Sequence, residues 1–240
     1  LIIREQKLLG IFTERDLVKL TAEGISLTHL SVETVMSRNV VTLLASDIKD
    51  AFTSLSVMRQ HRIRHLPVCD HQGSVCGVIT TAKLREALPA SALLKRRQVQ
   101  EIMATSVITA PPHTRVIEIA QLMAAHRVSC IIIQTADRLP PQGIITEYDI
   151  VKIQRLSLNL SNLTADTFMS APLVCLNPAD RLSEAQKKMQ ALNVRRLVVV
   201  NDAGLLAGLV TQTSILSVLD PHEMAATIEE IEQQVKQLQN

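Results

Sequence analysis

The chain has 240 residues, 47% hydrophobic and 20% charged, with a net charge of +2: a globular protein long enough for one large domain or two ordinary ones. With no Trp, one Tyr (Tyr148) and three Phe, it lacks the aromatic platforms on which single-stranded nucleic acid stacks, and no broad basic face replaces them. No apolar run reaches the ~18 residues of a membrane span and no signal peptide is visible, which points to the cytoplasm.

In chain order, Leu1 falls within a strand, and "GIFTERDLV" from Gly10 reads as a buried strand ending in Thr13, followed by a helix with Asp16 in its first turn. After a link over 21–33 comes "ETVMS" with Met36, the strand-like "NVVTL", an amphipathic stretch, the buried strand "RHLPVCD", a Gly73 turn, and "GVITTAKLR" from Gly77. The order then repeats. A link over 89–101 leads to "QEIMA" (Met103), "SVITA", a helical stretch, "SCIIIQT" and "GIITEYDIV" from Gly143. A link over 155–166 leads to "DTFMS" (Met169), "PLVCL", the helical "SEAQKKMQALNV", "RRLVVVN", a Gly204 turn and "GLVTQTSIL" from Gly208.

The motif threonines stand at 13, 80, 146 and 211, a step of 67, 66 and 65 residues, and Met36, Met103 and Met169 keep the same step. Six of the seven glycines fall at two places in this unit: Gly10, Gly77, Gly143 and Gly208 open the motif strand, while Gly73 and Gly204 occupy hairpin turns where φ > 0 is wanted. The unit is strand, helix, strand, turn, strand, helix, about sixty residues long, with the remainder of each 65–67-residue step in the links. Alignment of Gly10 with Gly208 leaves repeat one without its first strand and first helix.

A β-α-β-β-α unit ending in G-h-h-T-x-x-D and repeated in even number resembles the CBS domain, over nearly everything from Leu1 to about Leu219. The resemblance implies an α/β (α+β) fold of four CBS repeats arranged as two Bateman modules, with repeats one and two forming one and repeats three and four the other. The expected divisions are 1–30 (truncated repeat one and link), 31–98, 99–163, 164–220 and a tail over 221–240. Each module of the family binds adenine nucleotides or related ligands in clefts between its two members.

Only two motifs carry the carboxylate, Asp16 and Asp149; the others have Lys83 and Ser214. Helix capping accounts for Thr-x-x-Asp by itself, since Thr is a good N-cap and an acid three positions later favours the positive helix end. Its loss from two of four helices argues that capping is not its whole purpose. A carboxylate can accept from two adjacent ribose hydroxyls at once, and by resemblance this is the role of the motif Asp in nucleotide-binding CBS sites, with Thr13 and Thr146 nearby.

A second feature selects the same sites. At the entrance to the middle strand, repeat two has Arg64-His65 and repeat four has Arg195-Arg196, where repeat three has Ser129-Cys130. Charges there are often only solvated strand ends. In the gamma subunit of AMP-activated protein kinase, which this chain resembles in layout, a basic pair at this place contacts phosphates in the site whose Asp belongs to the other member. Carried over, Arg64 and His65 serve the Asp16 site, and Arg195 and Arg196 the Asp149 site. Adenine is then expected against partner backbone at Val41 or Val174, beside Ile144 and Tyr148.

Beyond Pro221, Met224, Ile228, Ile231, Val235 and Leu238 are spaced 4, 3, 4, 3, a heptad seam for a parallel coiled coil and hence a homodimer. In bacterial signalling proteins such a helix after tandem CBS repeats often precedes a histidine kinase or diguanylate cyclase. Cys69, Cys130 and Cys175 lie in apolar runs, which suits core packing, and neither a CxxC nor an HxxxH suggests a metal. No nucleophile–base pair or phosphate-cradling Gly loop points to catalysis. The expected function is a non-catalytic module that senses an adenine nucleotide as regulatory ligand, with no cofactor. The alternatives are a structural dimerisation module with vestigial clefts and the regulatory part of a metabolic enzyme or transporter.

Overall fold

The computed structural model describes residues 1–87 and 91–218. The expected heptad seam from Met224 to Leu238 lies outside the described residues. The described chain runs β1 (Ile2–Arg4), β2 (Lys7–Gly10), α1 (Glu14–Ala22), α2 (Val32–Val35), β3 (Leu43–Leu44), α3 (Ala51–Gln60), β4 (His65–Cys69), β5 (Val75–Thr80), α4 (Thr81–Ala87) and α5 (Ser91–Arg96). It continues through β6 (Thr109–Ala110), α6 (Val116–His126), β7 (Cys130–Ile133), β8 (Gly143–Thr146), α7 (Glu147–Arg155), α8 (Ala165–Phe168), β9 (Cys175–Leu176), α9 (Leu182–Ala191), β10 (Arg196–Val200), β11 (Leu206–Thr211) and α10 (Gln212–Ser217).

Three times the order is the expected strand, helix, strand, strand, helix, and each time the three strands form one sheet with the middle strand central: β3-β4-β5, β6-β7-β8 and β9-β10-β11. The first strand pairs parallel with the middle one in all three (Leu43 with Val68, Thr109 with Ile132, Cys175 with Val198), because an intervening helix must carry the chain back. The last strand turns back antiparallel, with Val68 opposite Gly77 and Ile133 opposite Gly143. Gly73 and Gly204 hold φ of 79° and 75° in their hairpins, the left-handed backbone that the sequence called for. Ahead of these three units, β1 and β2 form an antiparallel pair leading into α1.

The link over 89–101 contains helix α5 and a short 3-10 turn at Val99–Glu101 rather than plain coil. The links also do structural work. Residues 97–100 bond to the start of α9, Val99 N–H to Asp180 C=O at 2.9 Å and Leu182 N–H to Arg97 C=O at 3.0 Å. Residues 163–165 bond in the same way at the start of α6, Val116 N–H to Leu163 C=O at 2.8 Å and Ala165 N–H to Thr114 C=O at 2.8 Å. Repeats three and four therefore exchange their leading segments, each satisfying the open first turn of the other's helix.

The chain divides into two compact units that cut across the repeats. Among the described residues, the first contains 1–40, 104–177 and 198–209; the second contains 41–87, 91–103, 178–197 and 210–218. In the first unit, α1 lies against α6 and α7. Its Val18 joins a core with Val116, Ile119, Met123, Ile131, Ile145, Ile150 and Ile153, all at most 2% exposed. In the second unit α4 contacts α3 and α10, and α5 contacts α9. Cys69 and Cys130 are buried as expected, Cys175 is only half-buried, and Cys76 is exposed.

Candidate functional site

Each Thr-x-x-Asp motif lies where a strand ends and a helix begins. Thr146 keeps extended backbone (φ −120°, ψ 166°) as N-cap of α7, and Thr13 does the same before α1 (φ −128°, ψ 173°). Asp149 stands at the third helical position, where its Oδ2 accepts from Thr146 N–H at 2.8 Å and from Thr146 Oγ1 at 2.7 Å. Asp16 accepts from Thr13 N–H and Oγ1, both at 2.7 Å, again through Oδ2. Both carboxylates are half-buried, and among the described residues none donates to the Oδ1 of either. One oxygen is locked to the threonine and the second is presented.

Contrary to the expectation from the sequence, the cap survives in one of the two motifs that lack the carboxylate. Ser214 does not abandon the cap: Thr211 N–H donates to Ser214 Oγ at 2.8 Å, and Ser214 N–H donates to Thr211 Oγ1 at 3.1 Å. A hydroxyl serves as well as a carboxylate because the cap needs only one acceptor. Lys83 alone departs, with its N–H still reaching Thr80 Oγ1 at 3.3 Å and its ammonium turned to Glu86 at 3.0 Å. What distinguishes Asp16 and Asp149 is thus the second oxygen and the charge, not the cap.

The other expected site residues fall as follows. Ile144 is half-buried in β8, and Tyr148, one position before Asp149, is 57% exposed. Val174 is 38% exposed just ahead of β9, and Val41 is half-buried ahead of β3. Arg64 directly precedes β4 and His65 opens it, opposite Thr80 in the ladder. Arg195 directly precedes β10 and Arg196 opens it, and Arg195 C=O accepts from Gln212 N–H at 3.0 Å. Each basic pair therefore adjoins the helix start of its own repeat, the one without a motif Asp. Thr13, Asp16, Ile144, Thr146, Tyr148, Asp149 and Val174 belong to the first compact unit, whereas Val41, Arg64, His65, Arg195 and Arg196 belong to the second.

Sequence reasoning missed two relationships near these motifs. Glu147, between Thr146 and Asp149, is buried to 1% and its Oε1 accepts from Arg15 Nε at 3.2 Å, Arg15 being the neighbour of Asp16. The marker methionines also have partners. A Cβ on Gly143 would lie 2.7 Å from Met169 Cγ, and one on Gly10 would lie 2.8 Å from Met36 Cγ. The shared period of Gly and Met was the available signal. Among the described residues, no group of three or more His, Cys, Asp or Glu could hold a metal, and no helix is long and apolar enough to cross a membrane.

Comparison with known proteins agrees with this architecture. An uncharacterized protein of Methanopyrus kandleri is 37% identical over 133 residues, covering 55% of this chain and 66% of the relative. A homoserine O-acetyltransferase of Methanococcoides burtonii is 31% identical over 53% of this chain but only 25% of its own length. The chain thus spans less than two thirds of these relatives. A solved protein of Methanocaldococcus jannaschii superposes with a TM-score of 0.75 at 19% identity, over 90% of this chain and 84% of that one. The family profile described as CBS domain matches residues 32–90, 99–155 and 165–221, the three complete sheet-and-helix units, and the chain belongs to the CBS-domain family.

Proposed function

We propose that the chain is a non-catalytic regulatory module that binds an adenine nucleotide through Asp149 and, in a second site, through Asp16. The observation that carries this reading is the split use of each carboxylate. Thr146 and Thr13 fix Oδ2 and so orient Oδ1, the acceptor that a ribose hydroxyl requires. Only these two motifs have a second oxygen to offer. Arg195 with Arg196, and Arg64 with His65, supply the phosphate contacts in this reading, while Val174, Val41, Ile144 and Tyr148 frame the base. The support for those assignments is the sequence pattern, in which basic pairs occur in repeats two and four and the carboxylates in their pair members.

Residues 1–30 are read as the closing half of a fourth CBS unit, ahead of units at 31–98, 99–163 and 164–220. Occupancy is relayed through the heptad segment over 221–240, in a homodimer, to a signalling domain of the histidine kinase or diguanylate cyclase type. A second reading attaches the same sensing module to a metabolic enzyme. The similarity to part of a homoserine O-acetyltransferase favours it. Calorimetric titration with AMP, ATP and S-adenosylmethionine tests the common core of both readings. Saturable binding that Asp149→Ser weakens supports it, and absence of binding by the parent chain to all three overturns it.

A further inference from the structure

The two helices that carry the motif carboxylates, α1 and α7, are tied at both ends within the first compact unit. Near their starts Arg15 Nε donates to Glu147 Oε1 at 3.2 Å, and farther along Gln154 Nε2 donates to Thr21 Oγ1 at 3.0 Å. Start meets start and end meets end, so the helices run parallel and present their first turns on the same side. Arg15 directly precedes Asp16, and Glu147 stands two positions before Asp149, in those first turns. The first N–H groups of a helix have no intrahelical partner, so the order of this turn depends on its cap and its side-chain ties.

Helices α4 and α10 provide the internal contrast. They touch within the second compact unit and follow motif threonines too, yet neither carries a motif Asp. Counted from the threonine, Ala82 stands where α1 has Arg15, and Gln212 where α7 has Glu147. The backbones match: Glu147 N–H donates to Ser129 C=O at 3.1 Å, and Gln212 N–H to Arg195 C=O at 3.0 Å. The side chains diverge. Gln212 Nε2 turns to Val194 C=O of its own repeat at 3.5 Å, whereas Glu147 accepts from the neighbouring helix. The charged tie is present where both helices bear the carboxylate; where neither does, Ala82 and Gln212 cannot form one.

We propose that Arg15 and Glu147 couple the two nucleotide sites, so that filling one favours filling the other. The coupling rests on the reading of Asp16 and Asp149 as ribose acceptors. A ligand held by Asp16 steadies the first turn of α1 and with it Arg15. Arg15 in turn steadies Glu147 and the first turn of α7, where Asp149 presents its second oxygen. The reverse path is equally strong, because a coupling free energy has no direction. The ends of the tie are unequal: the Glu147 side chain is 1% exposed and already held, while Arg15 is 53% exposed and is the end that an ordered turn can restrain. A half-exposed ion pair is weak, which puts the coupling at the low end of the usual range, about fivefold in affinity.

AMP titrated into the isotope-labelled Asp149→Ser chain tests the coupling, since this variant keeps the α7 cap and leaves only the Asp16 site. The amide resonances of Glu147 and Tyr148 should move in step with those of Arg15 and Asp16, although no ligand is held at position 149. Adding Arg15→Ala should silence the α7 resonances while the α1 resonances still titrate, and Arg15→Lys, which returns a cation, should restore them in part. In the parent chain, calorimetry should give a two-site binding constant about fivefold greater than the product of the constants of Asp16→Ser and Asp149→Ser, a factor lost with Arg15→Ala. Resonances of α7 that stay still, or that move equally with Arg15→Ala, overturn the coupling and leave nucleotide binding standing. A pair that only stabilises the fold would lower the melting temperature of Arg15→Ala and leave the fivefold factor in place, which also overturns it. Absence of any AMP response in the parent overturns the binding reading and the coupling together.

Discussion

Arg15 and Glu147, 132 positions apart, form an ion pair with Nε 3.2 Å from Oε1, and the two ends differ sharply in exposure: the arginine side chain is 53% exposed and the glutamate 1%. Each is the immediate neighbour of a motif residue, Arg15 of Asp16 and Glu147 of Thr146. The pair joins α1 to α7 within the first compact unit, together with Gln154 Nε2 donating to Thr21 Oγ1 at 3.0 Å. A buried carboxylate is costly to leave with one charged partner fewer, whereas a half-exposed arginine loses little by returning to water.

Arg15→Ala is therefore expected to destabilise the chain by about 1–2 kcal/mol, less than a fully buried pair because water reaches the arginine. Glu147→Gln keeps an acceptor for the guanidinium and should be the milder change. Urea denaturation midpoints compare the two. An Arg15→Ala midpoint equal to that of the parent would show that the pair contributes nothing.

The two roles of Asp149 separate by substitution. Asp149→Ser copies the Ser214 arrangement, so it keeps the cap of α7 and removes only the charge and the second oxygen. Binding of AMP should fall roughly ten- to a hundredfold, the equivalent of a lost charged hydrogen bond, with the melting temperature nearly unchanged. Asp149→Ala should lose binding and about 1 kcal/mol of stability as well. Equal affinity for parent and Asp149→Ser would remove Asp149 from the site.

Glycines at the same motif position should respond differently. Gly143→Val drives a Cβ to within 2.9 Å of Met169 Cβ, which is fixed to backbone and cannot swing aside, and about 1–3 kcal/mol should be lost. Gly77→Val meets open space in an extended strand and should be neutral or slightly stabilising. Thermal unfolding of both variants is the measurement, and a Gly143→Val protein as stable as Gly77→Val would refute the steric account.

Phosphate and nucleoside recognition should part at the second basic pair. Arg195→Ala combined with Arg196→Ala is expected to weaken AMP at least tenfold more than adenosine, and to flatten the salt dependence of AMP binding. Calorimetry at two ionic strengths decides. Equal losses for nucleotide and nucleoside would put these arginines outside the phosphate pocket.

Acid should loosen the start of α3. Asp50 caps that helix, and its carboxyl is held below the ordinary 3.8, chiefly by the Thr53 N–H and then by the Thr53 hydroxyl. Because the folded form binds its proton less readily than the unfolded one, this contribution is present above pH 3.8 and fades as pH falls through the depressed value. Asp50→Ala should accordingly lower stability at pH 7 and differ little from the parent near pH 2, by urea denaturation at each pH. A difference that persists undiminished in acid would mean that the charge is not what stabilises the cap.

The features that sequence alone determined are local ones. The order of strands and helices, the φ > 0 turns at Gly73 and Gly204, and the Thr146 and Thr13 helix starts follow from period-2 and period-3.6 patterning and from turn chemistry, which act between near neighbours. The Ser214 cap is equally local, since a hydroxyl three positions after Thr211 does the capping work of a carboxylate. Only the tertiary structure decided which faces meet. An amphipathic helix announces that one side will be buried without naming its partner, so nothing in "ERDLVKLTA" foretold that Val18 would join the core around α6 and α7 or that Arg15 would reach Glu147. The same holds for Gly143 and Met169. Their common period was visible in the chain, but their contact depends on two backbones approaching closely enough that a single Cβ would not fit.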